Sequence, residues 1–334
     1  MAPKIITIIG SLNTDLVTVT PRVPSGGETL TASSFSTGSG GKGANQAVAC
    51  ARLSRPKPST SSSSTSTASS IKVKMVGAVG DDAFGPGIIQ NMEKDGIDVS
   101  GIKLIPNQST GVAVILVESS SGENRILLSP GANSTLQPED FLTPETLGTP
   151  LPSLIILQLE IPLPTVLQII KTAKEAKVPV LLNPAPAVPL PEEVFHGLEH
   201  LVLNESESAI LTGRAIGETE YDFDWSVVGK EFLSKGVKNV VITLGAKGAF
   251  YAGGKGGDGE MCLVGVEKIK VVDTTAAGDT FVGAYAVQVV NEGGEGGMEK
   301  VLELACRAAG RTCEKAGAQA AIPWVDEVEG LRMS

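Results

Sequence analysis

The sequence predicts an α/β fold, a mostly parallel central sheet with helices on both faces, together with a small β-sheet lid. Three observations carry that expectation. Short apolar runs recur along the second half of the chain, at Leu154 to Gln158, Val178 to Leu182, His200 to Leu203 and Val240 to Thr243, and helical stretches separate most of them. Polar residues sit just past several of those runs, at Glu160, Asn183, Asn204 with Glu207, and Thr243 to Gly248, along the rim where open parallel sheets bind ligands. Two strand-like excursions, at about 15–36 and 111–129, are broken by Pro and Gly and read as a separate small sheet.

Taken in order, Ile5 to Gly10 is an apolar strand that ends in glycine and runs into Ser11-Leu12-Asn13-Thr14-Asp15. Asn13 and Asp15 offer the donors and acceptors a polyol needs, and equally suit an Asx-type turn. Pro21, Pro24 and Gly26-Gly27 interrupt the first excursion. The second contains Gly111 to Val117, a turn at Ser120 to Glu123, and Asn124 to Leu128. A four-strand flap with an apolar face also invites dimerisation.

Between the excursions, Gly38-Ser39-Gly40-Gly41-Lys42-Gly43-Ala44-Asn45-Gln46 forms a glycine-rich loop leading into the apolar helix from Ala47 to Leu53. Gly38, Gly40 and Gly43 spell a dinucleotide fingerprint, but they fall well after the first strand and a serine tract follows, so the fingerprint is false. Lys42 precedes Gly43 rather than Ser or Thr, so this is not a P-loop either. Amides, Lys42 and Asn45 at a helix start still suit hydroxyls or an anion. Residues 54–70 are a low-complexity Ser/Thr-rich surface insert. Val73 to Gly77 reads as a strand, Gly80 to Gly85 as a turn, and a helix follows to Asp95. Helices are expected from Leu163, Glu205 and Trp225, and Gly253 to Gly259 reads as a surface turn.

The stretch that carries chemistry is Asp273-Thr274-Thr275-Ala276-Ala277-Gly278-Asp279-Thr280. It follows the alternating run Val264 to Val272, read as a strand, and precedes Phe281 to Val287, read as a helix. Small residues at 276–278 let backbone approach a ligand, and the first amides of the helix have no partners within it. Asp279 is suited to take a proton from a hydroxyl that attacks a phosphoryl group, or to cap the helix.

Bulk properties bound the partners. The chain has 334 residues, is 42% hydrophobic and 4% aromatic, and carries a formal charge of −10 without a basic cluster. That charge excludes nucleic acid and anionic membrane as partners. The N-terminal residues lack a signal peptide's order and no run is long enough to span a membrane, so the expected compartment is the cytoplasm, with the nucleus also open. Cys50, Cys262, Cys306 and Cys313 lack CxxC spacing and suit reduced core thiols. His196 and His200 have i, i+4 spacing but no third acidic ligand, so they read as structural.

Asn13-Thr14-Asp15, Gly40 to Ala47, Asn183-Pro184-Ala185-Pro186, Asn204 to Glu207, Asp273 to Asp279 and Gly317-Ala318-Gln319 together resemble the ribokinase-like family of carbohydrate kinases, in order and across nearly the whole chain apart from the insert. The resemblance implies a single ribokinase-like α/β domain over 1–334 and ATP-dependent phosphorylation of D-ribose at its 5-hydroxyl. It implies sugar contacts at Asn13, Thr14, Asp15, Gly41, Lys42, Gly43, Ala44, Asn45 and Glu160. Asp279 is then the base, with an anion hole at Ala276, Ala277 and Gly278. ATP contacts fall to Asn204, Thr243, Leu244, Gly245, Ala246, Lys247, Gly248, Gly278, Asp279 and the position of Cys306. Glu207 is implied for Mg²⁺, and Asp273, Thr275, Thr312, Lys315, Gly317 and the position of Ala321 for K⁺. The departures are Ala321, where the family often has a hydroxyl, and Cys306, where it often has Asn or His. The resemblance also implies a homodimer formed through the lid. Three other readings stand beside it: a deoxyribose, fructose or nucleoside kinase, a non-catalytic sugar or nucleotide sensor, and a nicotinamide oxidoreductase built on the glycine fingerprint.

Overall fold

Two sheets organise the computed structural model, which describes residues 4–58, 71–121, 123–215, 223–254, 260–292 and 297–331. The first half supplies β1 (Lys4–Ile9), β2 (Asn13–Thr20), β3 (Ser34–Gly40), α1 (Lys42–Leu53), β4 (Ile71–Gly80), α2 (Gly85–Lys94), β5 (Asp98–Ile105), β6 (Gly111–Glu118) and β7 (Asn124–Ser129). The second supplies β8 (Leu154–Leu157), α3 (Leu163–Glu175), β9 (Val180–Leu182), β10 (His200–Asn204), α4 (Glu205–Thr212), α5 (Ser226–Ser234), β11 (Asn239–Thr243), β12 (Ala249–Gly253), β13 (Glu260–Val264), α6 (Ala277–Glu292) and α7 (Gly297–Cys313).

The large sheet has the order β13-β12-β11-β10-β9-β8-β1-β4-β5, parallel from β11 to β5 with an antiparallel pair at the other edge. Successive side chains of a strand face opposite sides, so β8 sends Leu154 and Ile156 into one apolar layer and Ile155 and Leu157 into the other. Helices α1, α6 and α7 cover the first layer, and α3 and α5 the second. Burial on both faces is why these strands read as unbroken apolar runs.

The two excursions pair as expected. In the order β3-β2-β6-β7, β2 runs parallel to β6 while the outer strands pair antiparallel. The first strand of this sheet begins at Asn13, and β3 extends through Gly40, so Gly38 and Gly40 belong to a strand rather than a loop. Lys42 to Asn45 are the first turn of α1.

Other expectations need correction. Residues 265–272 are not a strand. The pairing of β12 with β13 ends at Ala249 opposite Val264, and beyond it no strand is there to pair. The helix expected from Phe281 starts four residues earlier, at Ala277, which puts Asp279 inside its first turn. The reading of His200 as a structural residue at the start of a strand needs none. His200 opens β10 and its Nδ1 meets the Tyr285 hydroxyl at 2.9 Å. Strands β5 and β12 carry no clear signal of their own. Of the Ser/Thr-rich insert, residues 59–70 lie outside the described residues, as do 255–259 of the glycine-rich turn and Gly122 of the hairpin turn.

One packing contact sets up the site. An added Cβ at Gly283 of α6 would lie 2.4 Å from the Ala49 Cβ of α1. The two helices therefore cross nearly backbone to backbone, and their N-terminal turns arrive side by side at the rim of the large sheet.

Candidate active site

The glycines of the segment 40–43 are there to let backbone meet backbone. A Cβ on Gly43 would fall 2.6 Å from the Ser11 amide nitrogen and 2.7 Å from the Gly10 carbonyl carbon. Gly41 has φ +87, and its Cβ would fall 2.8 Å from the Asn13 nitrogen. Gly40 faces the Asp15 carboxylate, whose Oδ2 would stand 2.2 Å from an added Cβ. The start of α1 is thus seated on the end of β1 and the start of β2.

That seating gathers polar side chains. Glu160, just after β8, accepts from the Ser11 hydroxyl at 2.6 Å, the Lys42 amide at 3.0 Å and the Asn13 side chain at 3.4 Å. Asp279 accepts from Asn45 Nδ2 at 2.9 Å on Oδ2 and from Gln46 Nε2 at 2.9 Å on Oδ1. The Asn45 Oδ1 is buried without a partner, the state of a group built to bond a ligand. Asn13 and Asp15 alternate with Thr14, which is buried on the other side of β2 and does not join them.

Charge in this cluster is mutually adjusted. Burial, then Glu160, then Asp279 push the Asp15 carboxyl up to about 7. Burial opposes the charged form of Lys42, but Asp279, Glu160 and Glu207 together hold its ammonium above the ordinary lysine value. Burial raises Glu207, against the Asn204 amide and Lys42, which lower it. Three carboxylates therefore converge on one cation, in a place suited to hydroxyl groups and to a charged phosphate.

At the start of α6, Ala276 adopts φ +60, a left-handed conformation unusual for a residue with a side chain. The Ala277 amide bonds the Thr274 carbonyl at 3.2 Å and the Thr280 amide bonds Ala276 at 2.8 Å. The amides of 276–278, expected to form an anion hole, are not all free. Ala277 is committed to the turn, while the amides of Gly278 and Asp279 have no acceptor among the described residues. Gly278 has nothing within 4 Å of an added Cβ, so the approach is open.

Along the same rim, Asn204 and Glu207 cap α4 reciprocally. The Asn204 side chain accepts from the Glu207 amide at 2.8 Å, and Glu207 accepts from the Asn204 amide at 2.8 Å. Thr243 ends β11, and Gly245 to Lys247 form a tight turn in which Lys247 pairs with Glu205 at 2.9 Å. Behind α6, Asp273 accepts from the Thr275 amide and hydroxyl at 2.9 and 2.6 Å and from the Gly317 amide at 2.8 Å. Those bonds outweigh burial and hold its carboxyl below the ordinary range. Thr312 Oγ1 meets Thr280 Oγ1 at 2.8 Å, so the 312–317 segment is tied to the helix that carries Asp279. Cys306 is buried in the apolar layer, its thiol pushed up to about 12 by burial, and Ala321 is fully buried and offers no side-chain oxygen.

The pfkB family carbohydrate kinase profile matches residues 4–325, which takes in both sheets and every residue of this site. The chain belongs to the pfkB family of carbohydrate kinases. It is 44% identical to a ribokinase of Schizosaccharomyces pombe over 97% of this chain and 96% of that one. It is 38% identical to a deoxyribokinase of Salmonella typhi over 90% of each. Among solved structures, an Arabidopsis thaliana ribokinase complexed with ribose and ATP superposes with TM-score 0.79 at 31% identity, covering 99% of both chains. As a pfkB family kinase the chain transfers a phosphoryl group to a sugar hydroxyl, and it shares the α/β architecture and the second small sheet of those relatives.

Sequence reasoning missed part of this pfkB site. Ser11, Gln46, Asn133 and Gln158 were not singled out as functional. Asn133 accepts from the Leu12 amide at 2.9 Å and donates to Asn13 Oδ1 at 2.7 Å, fixing the strand end that carries Asn13. Nothing in its Gly131-Ala132-Asn133 context signals this. Gln46 and Gln158 lay beside flagged residues, and their polarity at otherwise apolar positions was the available sign.

Proposed function

We propose that the chain is an ATP-dependent ribokinase that moves the terminal phosphoryl group of ATP to the 5-hydroxyl of D-ribose. One observation carries the reading: the buried carboxylate of Asp279 sits in the first turn of α6, between unpaired backbone amides and a cluster of sugar-type partners at Asn13, Asp15, Lys42, Asn45 and Glu160. The 44% identity to a ribokinase and the likeness to a ribokinase holding ribose and ATP support it.

In this mechanism Asn13, Asp15, Gly41, Lys42, Asn45 and Glu160 hold the sugar hydroxyls, with Gly43 and Ala44 giving the close backbone approach. Asp279 accepts the proton of the 5-hydroxyl as its oxygen attacks phosphorus. The amides at Ala276, Gly278 and Asp279 stabilise charge on the transferring group. Asn204 and the 243–248 turn, with Gly278, line the nucleotide.

Two cations belong to the same reading. Among the described residues no group of three or more His, Cys, Asp or Glu is arranged to hold a metal. Mg²⁺ is usually bound through one or two carboxylates plus phosphates and water. Glu207, with Oε1 free of its cap, would hold it, and Mg²⁺ would neutralise phosphate charge. K⁺ would be held by Asp273, Thr275 and the carbonyls of Thr312, Lys315 and Gly317, a weaker set for the lack of an oxygen at Ala321.

A homodimer through the small sheet is part of the proposal, because the sheet exposes large apolar side chains, Phe35 and Leu127 on one face and Ile126 and Leu128 on the other. The cytoplasm, with the nucleus open as well, remains the proposed location; no described helix is long and apolar enough to cross a membrane.

A coupled assay with ribose, ATP and Mg²⁺ tests the central claim. Turnover that Asp279→Ala abolishes supports it, and absence of turnover in the wild type ends it. The 38% identity to a deoxyribokinase favours deoxyribose as the second reading. A sugar panel separates the two, since a site that hydrogen-bonds the 2-hydroxyl rejects the analogue that lacks it.

A further inference from the structure

Gln46 lies in the first turns of α1 and is completely buried, yet the chemistry described so far does not use it. Every polar atom of its side chain is engaged. Nε2 donates to Asp279 Oδ1 at 2.9 Å and to Asn183 Oδ1 at 3.0 Å, while Oε1 accepts from Gln158 Nε2 at 2.6 Å. Asn183 is anchored in turn by its Nδ2 on the Val202 carbonyl at 2.9 Å. The chain of amides therefore joins the end of β8, the end of β9 and β10 to the first turn of α6.

Its direction is fixed. A carboxylate only accepts, so Gln46 presents Nε2 to Asp279 and turns Oε1 to Gln158, which answers with its Nε2. The Gln158 Oε1 is left without a partner, packed against Gly10, where an added Cβ would fall 2.0 Å away. The other oxygen, Asp279 Oδ2, is bonded by Asn45, whose own Oδ1 is buried and unpartnered and so is poised to engage a ligand. The two amides thus differ in kind: one is locked from behind by a network, the other is half free.

We propose that Gln46 is a positioning residue: it holds Oδ1 of Asp279 so that Oδ2 alone is turned to the acceptor hydroxyl. The inference rests on Asp279 being the base of the kinase reaction.

Gln46→Met keeps length and bulk and removes the donor. With ribose and ATP at saturation, kcat falls by about ten- to a hundredfold while KM for the sugar changes by less than about threefold. Gln158→Met, which keeps Gln46 but removes the group that orients it, gives a smaller change in the same direction, and it decides the matter if Gln46→Met does not fold. A folded variant with the wild-type kcat, or one whose KM for the sugar rises as far as its kcat falls, overturns the proposal. Failure of the underlying reading looks different, because the wild-type enzyme itself then shows no turnover or Asp279→Ala remains active.

Discussion

The Asn45 side chain donates to Oδ2 of Asp279 at 2.9 Å, across 234 positions of sequence. Helices α1 and α6 make this contact because Gly283 lets them cross at backbone distance. The residue proposed to bind sugar and the residue proposed to take the proton are therefore parts of one rigid corner.

Removal of the base tests that corner. Asp279→Asn keeps an acceptor for Asn45 and loses the proton acceptor, so kcat falls by about a hundred- to ten-thousandfold. The dissociation constants of ribose and ATP, measured by calorimetry, change little.

With Asp15 in its proposed role, sugar binding follows the charge of its carboxyl. Its carboxyl is pushed up to about 7, so the anion that accepts from sugar hydroxyls is gained as pH rises through neutrality. KM for ribose falls between about pH 6 and 8, and Asp15→Asn flattens that dependence while raising KM throughout. Stability moves the other way. The folded value lies above the ordinary 3.8, so the native state binds the extra proton and loses stability as pH rises from about 4 to 7. In Asp15→Asn that decline disappears from thermal melts.

His200 gives the opposite slope. Burial depresses it from 6.5 to about 4, so the unfolded chain binds the proton first as pH falls below 6.5. The wild type loses about 3 kcal/mol from this group between pH 6.5 and 4. Denaturant titrations of His200→Gln show a shallower loss over the same window, offset by a lower stability at pH 8 from the altered contact with Tyr285.

Two glycines separate fold from function. Gly43→Ala drives a methyl group to 2.6 Å from the Ser11 nitrogen, and backbone cannot yield as a side-chain tip can. It costs about 1–3 kcal/mol of stability as well as activity. Gly278→Ala meets nothing within 4 Å, so its melting temperature stays within about 2 °C of wild type, while kcat falls because the methyl crowds the amides that face the phosphoryl group.

The monovalent cation reading predicts a K⁺ dependence. Asp273→Ala removes the acceptor for Thr275 and Gly317, which loosens the turn leading to α6. Half-maximal activation then needs at least about tenfold more K⁺. Equal activity in Na⁺, K⁺ and choline buffers for the wild type counts against a cation site there.

Much of this protein was written in local pattern. Apolar runs buried on both faces announced a parallel sheet, and polar residues past their ends announced its rim, because a strand's burial and its end are short-range facts. The glycines at 40–43 and the Asp273 to Asp279 turn were legible for the same reason. What only tertiary structure decided depends on which ends meet. Gln46 and Gln158 look like ordinary polar residues until the ends of β8 and β9 and the start of α6 converge on them, and so does Asn133 until the start of β2 meets it. The run 265–272 has a strand's alternation but no strand paired with it, and a strand exists only where its ladder of hydrogen bonds is answered. The split of the Asp279 carboxylate between one locked amide and one half-free amide belongs to the packing of α1 on α6.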